Sequence, residues 1–219
     1  MSEVTIAVRG ENERRLLPER ATVRVTVRAE GPERSAAVEE VSRLTEPVRS
    51  SIAERRESGG VVEWTSKNMT VRAERPWNNE GRRLAPVYYA NVDVTATFAA
   101  AADLSAWVSE ISAWDGVEVG WVDWHLTPET SAQVEREVAS AAVGVAVARA
   151  QAYASALGLS DVVPVEIADA GLISTSSGPT PPAMKARSVA FAADAAPTMQ
   201  YEPEDIVVSA TVEARFLAR

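Results

Sequence analysis

The chain has 219 residues, a net charge of −9 and a pI near 4.8, and 46% of its residues are hydrophobic. That length supports one sizeable core, and the apolar content excludes general disorder. The acidic balance disfavours nucleic acid as a partner, and the lack of cysteine excludes disulfides, thiolate metal sites, cysteine-ligated iron–sulfur clusters and cysteine nucleophiles.

The opening MSEVTIAVRGENERR lacks the basic and then apolar run of a secretory leader. The expected compartment is therefore the cytoplasm as the sequence is written, or the periplasm or extracellular space if a leader preceded it. Residues 4–9 and 21–29 alternate apolar with polar, and Val23, Val25 and Val27 share one face opposite Thr22, Arg24, Thr26 and Arg28. This period of two predicts half-buried strands, with one sheet face wet. From Pro32, placed for a first helical turn, Ala37, Val38, Val41, Leu44, Val48 and Ile52 recur at helical spacing up to Ser58-Gly59-Gly60, predicting an amphipathic helix bent at Pro47.

Residues 61–74 and 87–98 predict two strands joined by the loop RPWNNEGRRLAP, with Val92, Val94, Ala96 and Phe98 toward the core. A helix capped by the Asp103 carboxylate follows, then a strand over 117–126. Taken from residue 21 to 126, the order β-α-β-β-α-β predicts an α+β fold of ferredoxin-like type, two helices on one face of an antiparallel sheet. A long helix capped at Thr127 and ended by Gly158, then strands over 162–170 and 205–218, are appended to it. The whole chain is expected to form one domain, with a flexible arm or loop over about 171–203.

The stretch SAAVGVAVARAQAYASALG, residues 140–158, has the length of a membrane span, yet its alanines, Gly144, Arg149, Gln151 and Ser155 transfer poorly to lipid. No membrane span is expected. Val134, Val138, Ala141, Val145, Ala148, Ala152 and Ala156 form one stripe, and Ala142, Ala146, Ala150 and Ala154 a second row. The helix is expected to lie on its own sheet, with contact between the second row and another subunit as the alternative.

Catalytic chemistry finds little support. His125 is the sole histidine, insufficient for a histidine metal site and without a GxSxG nucleophile to activate. Glu135 and Glu137 face different sides of a helix, Glu202, Glu204 and Asp205 resemble a solvated run, and Ser58-Gly59-Gly60 lacks phosphate-loop spacing. No catalytic, cofactor or metal residue is assigned. Trp107, Trp114, Trp121 and Trp124 are expected in core packing, the first and second on one helix face and the others on opposite sides of a strand.

Several segments together resemble the SIMPL-domain family: Val8-Arg9-Gly10 ending an early strand, Pro18-x-x-Ala21 leading into ATVRVTV, the strand Tyr89-Ala90-Asn91-Val92-Asp93-Val94, and Asp103-Leu104 opening a helix. ARAQAYASALGL before Val162 and Val165, and the isolated last strand, complete the likeness. Glu19 stands where the family usually has aspartate, and the usual export signal is missing. The family is largely bacterial and of unknown biochemical function. The resemblance implies an exported or envelope setting, a link to oxidative-stress tolerance, immunogenic relatives, a mammalian relative associated with a signalling kinase, and large ring- or barrel-shaped homo-oligomers. It carries over no catalytic residue.

The expected function is therefore non-enzymatic self-association or protein binding, stress-related by the resemblance. The expected contacts are Trp77, Asn78, Asn79, Arg82 and Arg83 in the 75–86 loop, an aromatic anchor beside amides and guanidiniums, together with Phe191 of the arm. Strand addition at an open sheet edge is the expected accompaniment. The competing class is an enzyme or small-molecule binder with a Trp-lined cleft.

Overall fold

The structure is a computed structural model that describes residues 3–173 and 201–219. Most of the expected arm, Phe191 included, lies outside the described residues. The elements, in order, are β1 (Val4–Leu16), β2 (Arg20–Gly31), α1 (Arg34–Glu57), β3 (Val61–Glu74), β4 (Val87–Phe98), α2 (Ala101–Ile111), β5 (Val117–His125), α3 (Pro128–Ala156), β6 (Val162–Asp169) and β7 (Ile206–Ala218). This is an α+β fold with two antiparallel sheets, divided into two compact units.

One unit is built from residues 17–126 together with the described stretch 201–204. Its four strands run β3-β4-β2-β5, the strand order of the βαββαβ arrangement. Alternation along β2 and β4 decides which face is dry. Val23, Val25, Val27, Val94 and Phe98 are fully buried, with Val41, Val48 and Ile52 of α1 and Leu104, Trp107 and Ile111 of α2 in the same cluster. Burying each such side chain contributes about 1.5–3 kcal/mol relative to exposure. The intervening residues line the other face, where Thr22 and Thr97 hydroxyls meet at 2.8 Å, Thr65 and Thr95 at 2.7 Å, and Thr26 Oγ1 donates to Asp93 Oδ1 at 2.8 Å. These cross-strand pairs hold the register that keeps Val23, Val25, Val27, Val92 and Val94 inward.

The helix starts differ from expectation. α1 begins at Arg34 with Glu33 extended before it, so Pro32 precedes the helix, and the helical assignment runs unbroken through Pro47. α2 begins at Ala101, which places Asp103 within the first turn rather than at the cap. The connection is short because Ala99 N–H donates to Gly60 O at 3.0 Å and pins the chain as it leaves β4. In the first turn the Asp103 carboxylate still lies at the positive end of the helix dipole.

The second unit combines β1, α3, β6 and β7 in a sheet of order β1-β7-β6. β1 and β7 pair along their full lengths, from Val4 opposite Ala218 to Leu16 opposite Ile206. α3 starts as expected: Thr127 Oγ1 accepts from Thr130 N–H at 3.3 Å with Pro128 next in sequence, and the chain leaves the helix through Gly158 at φ +75°, a left-handed turn that glycine adopts without steric cost.

α3 lies on its own sheet as expected, and Val134 and Val138 of the expected stripe are buried, but from Ala141 onward the buried face is the second row. Ala142, Ala146, Ala150 and Ala154 are buried against Ile6, Val8, Val212, Ala214 and Phe216, whereas Ala141, Ala148, Ala152 and Ala156 are exposed. The second row is therefore occupied within its own unit, which overturns its assignment to another subunit. The reason is close approach. A β-carbon on Gly10 of β1 would stand 2.0 Å from the Ala142 carbonyl oxygen and 2.8 Å from Ala146 N, so only glycine below and alanine above let helix and strand meet. Arg149 Nη1 reinforces the crossing by donating to Arg9 O at 2.8 Å. No helix among the described residues is long and apolar enough to cross a membrane.

Candidate contact site at the β3–β4 loop

The loop between β3 and β4 carries its own hydrogen-bond frame. Asn78 Oδ1 accepts from the N–H of Glu80 at 3.0 Å and of Arg82 at 2.8 Å, and Asn78 N–H donates to Arg82 O at 2.9 Å. Gly81 N–H donates to Asn78 O at 3.0 Å and Leu84 N–H to Pro76 O at 2.9 Å, while Trp77 and Arg83 form a two-residue antiparallel bridge. An asparagine side chain that substitutes for a turn's backbone acceptor fixes such a loop, and Gly81 supplies its positive φ of +74°.

This frame holds Trp77 outward. Trp77 is 61% exposed, and the Arg83 guanidinium lies 5.0 Å from its ring centroid, a cation–π pair that limits the ring's rotamers. Leu84, also exposed, adds a second apolar side chain. Of the residues singled out from the sequence, Trp77, Asn78, Arg82 and Arg83 are thus brought together by named contacts, and Asn79 is exposed on the same turn. Leu84 was not foreseen, because a leucine before Ala-Pro in a loop gives no periodic signal.

Beside the loop, on the wet face of the sheet, Arg28, Glu30, Arg72, Tyr89 and Asn91 line a concavity of about 440 Å³. Arg72 lies 5.6 Å over the Tyr89 ring and pairs with Glu74 at 3.1 Å, and Arg28 pairs with Glu118 at 2.6 Å.

The other unit carries an apolar groove that the sequence did not reveal. Val143 and Val147 of α3, Pro164, Val165, Glu166 and Ile167 of β6, and Ala214 and Phe216 of β7 line a space of about 260 Å³. β6 is an edge strand, and its register shifts between Pro164 and Glu166. Val165 is the extra residue of that bulge, which sets Ile167 opposite Ala214; at this open sheet edge Val165 stays 65% and Ile167 55% exposed. Strict alternation would have predicted a core strand from Val163, Val165 and Ile167.

The tryptophans are dispersed. Trp107 is fully buried, and Trp114 lies beyond the end of α2 rather than on the Trp107 face, half-buried beside Leu44 and Pro47. Trp124 packs on Tyr201 at 6.1 Å between ring centroids, while Trp121 is 64% exposed. His125 ends β5, with Nε2 3.0 Å from Thr22 Oγ1 and Nδ1 3.2 Å from Leu126 O. Glu137 pairs with Arg14 and accepts from Gln133 at 2.9 Å, and Ser131 donates to Glu135 at 3.0 Å. Among the described residues no three His, Asp or Glu side chains group as metal ligands.

A family model for the SIMPL domain, described as a protein of unknown function (DUF541), matches residues 6–216. The chain belongs to the SIMPL family. The SIMPL match runs from Ile6 on β1 to Phe216 on β7, and so takes in both units and the 75–86 loop. No curated protein matches the chain significantly.

Proposed function

We propose that this SIMPL protein acts by contact rather than catalysis, associating with itself or with another protein through the 75–86 loop. The carrying observation is Trp77, held 61% exposed by a loop that is already bonded into shape. A preformed aromatic anchor flanked by arginine binds at low entropic cost, because little remains to be ordered on contact. Trp77→Ala removes the anchor without touching the core. Light scattering over a concentration series tests the reading: the wild-type chain gains mass with concentration, and Trp77→Ala does so far less at an unchanged melting temperature. A wild-type chain that stays monomeric and captures no protein through Trp77 ends it.

The stress-related role rests on the family resemblance alone. Peroxide survival of a strain lacking the gene, compared with its parent, tests that part separately.

A further inference from the structure

We infer that the groove between α3 and β6 is the socket for the 75–86 loop of a second copy of this chain. The inference rests on the reading of that loop as an association site and names its partner.

Shape supplies the first argument. Trp77 and Leu84 protrude from an ordered loop, and the groove of about 260 Å³ offers Val143, Val147, Pro164, Val165, Ile167 and Phe216 as an apolar lining. Aromatic anchors bind best in pockets of this kind, where surrounding contacts exclude water.

Charge supplies the second. Residues 67–83 carry Lys67, Arg72, Arg75, Arg82 and Arg83 against Glu74 and Glu80, a surplus of three positive charges in a chain whose net charge is −9. Residues 158–173, which contain β6, carry Asp161, Glu166 and Asp169 and no lysine or arginine. Glu166 pairs with Arg215 at 2.9 Å and Asp161 with Arg219 at 2.7 Å, so β7 moderates this acidity. Opposite local charge steers the encounter and fixes its orientation. Pro164 and the adjacent bulge obstruct simple strand addition along β6, leaving the groove rather than the strand edge as the contact.

Loop and groove are different patches, so the contact is heterologous and propagates from copy to copy, into a ring where the rotation closes and a filament where it does not. Two variants isolate it. Trp77→Ala removes the plug and keeps the socket; Val165→Arg fills the socket with a like charge and keeps the plug. Because Val165 is 65% exposed, the second variant should fold, and Ile167→Arg replaces it if its melting temperature falls. Each variant alone should associate roughly thirtyfold more weakly than wild type, the effect of losing one interface anchor.

Mixed in equal amounts, the two should form dimers and stop there, since each pair retains one intact contact and no free end. Sedimentation velocity reads this directly. A mixture that stays monomeric while the wild type assembles through Trp77 overturns the socket and leaves the loop reading standing. A wild type that does not self-associate overturns the socket also, and assembly indifferent to Trp77→Ala overturns both.

Discussion

The indole N–H of Trp107 on α2 donates to Ser51 Oγ on α1 at 3.0 Å, in a site where both residues are buried, and Ser51 passes the bond on to Val48 O at 2.9 Å. This relay is a buried polar tie between the two helices that cover the four-stranded sheet, beside the more exposed pair of Arg55 with Glu110. Ser51→Ala removes the acceptor and leaves the indole donor unsatisfied in the core, at a cost of about 1–3 kcal/mol. Urea denaturation should give a lower midpoint with an unchanged slope.

Gly10 and Gly144 should respond to alanine with opposite signs. At Gly10 the new methyl meets the α3 backbone at 2.0 Å, and overpacking of that kind costs about 1–3 kcal/mol. At Gly144, within α3, nothing lies within 4 Å of an added β-carbon, so the helix gains alanine's propensity, about 1 kcal/mol. Thermal melts of the two variants against wild type check both signs. A Gly10→Ala variant as stable as wild type would remove the close-approach account of α3.

Asn78→Ala should separate loop order from global stability. It deletes the acceptor for two N–H groups of the 75–86 loop and leaves Trp77 in place. Global stability should stay within about 0.5 kcal/mol, as for exposed sites in general, while self-association weakens because the loop must be ordered on contact. Unchanged association would mean that the frame around Trp77 is dispensable.

Burial raises the Tyr201 phenol above its ordinary value of 10.0, since ionisation there would place a charge in a partly desolvated site. The folded chain then holds this proton more tightly than the unfolded chain does. The associated stability is intact below about pH 10 and is lost as the pH rises through the raised folded value. Ultraviolet titration should reveal one late-ionising tyrosine that disappears in Tyr201→Phe, and that variant should lose less stability over the same alkaline range.

The four-stranded unit was legible because its sequence obeys two clean periods. Val23, Val25 and Val27 alternate with threonine and arginine, and Val41, Val48 and Ile52 keep helical spacing, so faces and order follow from pattern alone. α3 defeats the same method. Its alanines and valines occupy adjacent rows with nearly equal hydrophobicity, and the choice between rows is made by backbone proximity at Gly10, which no periodicity encodes. The bulge after Pro164 conceals β6 in a similar way, because it splits an alternating apolar run between two faces and sets Ile167 opposite Ala214.

In the 75–86 loop the sequence marks an exposed turn but not its geometry. A tryptophan among asparagines and arginines between two strands marks a surface turn, but the bonds from Asn78 and the seating of Arg83 on Trp77 depend on turn conformation. Trp107 and Trp114 misled for a simpler reason: α2 ends at Ile111, so a spacing of seven does not place them on one helix.

The pairing of β1 with β7 dictates an order of events at birth. Leu16 finds its partner Ile206 some 190 positions later, about 10–40 s of translation at ordinary rates. Residues 17–126 are meanwhile complete and able to close their sheet, while β1 waits unzipped for β7. β1 is thus made before the four-stranded unit and is locked only after it.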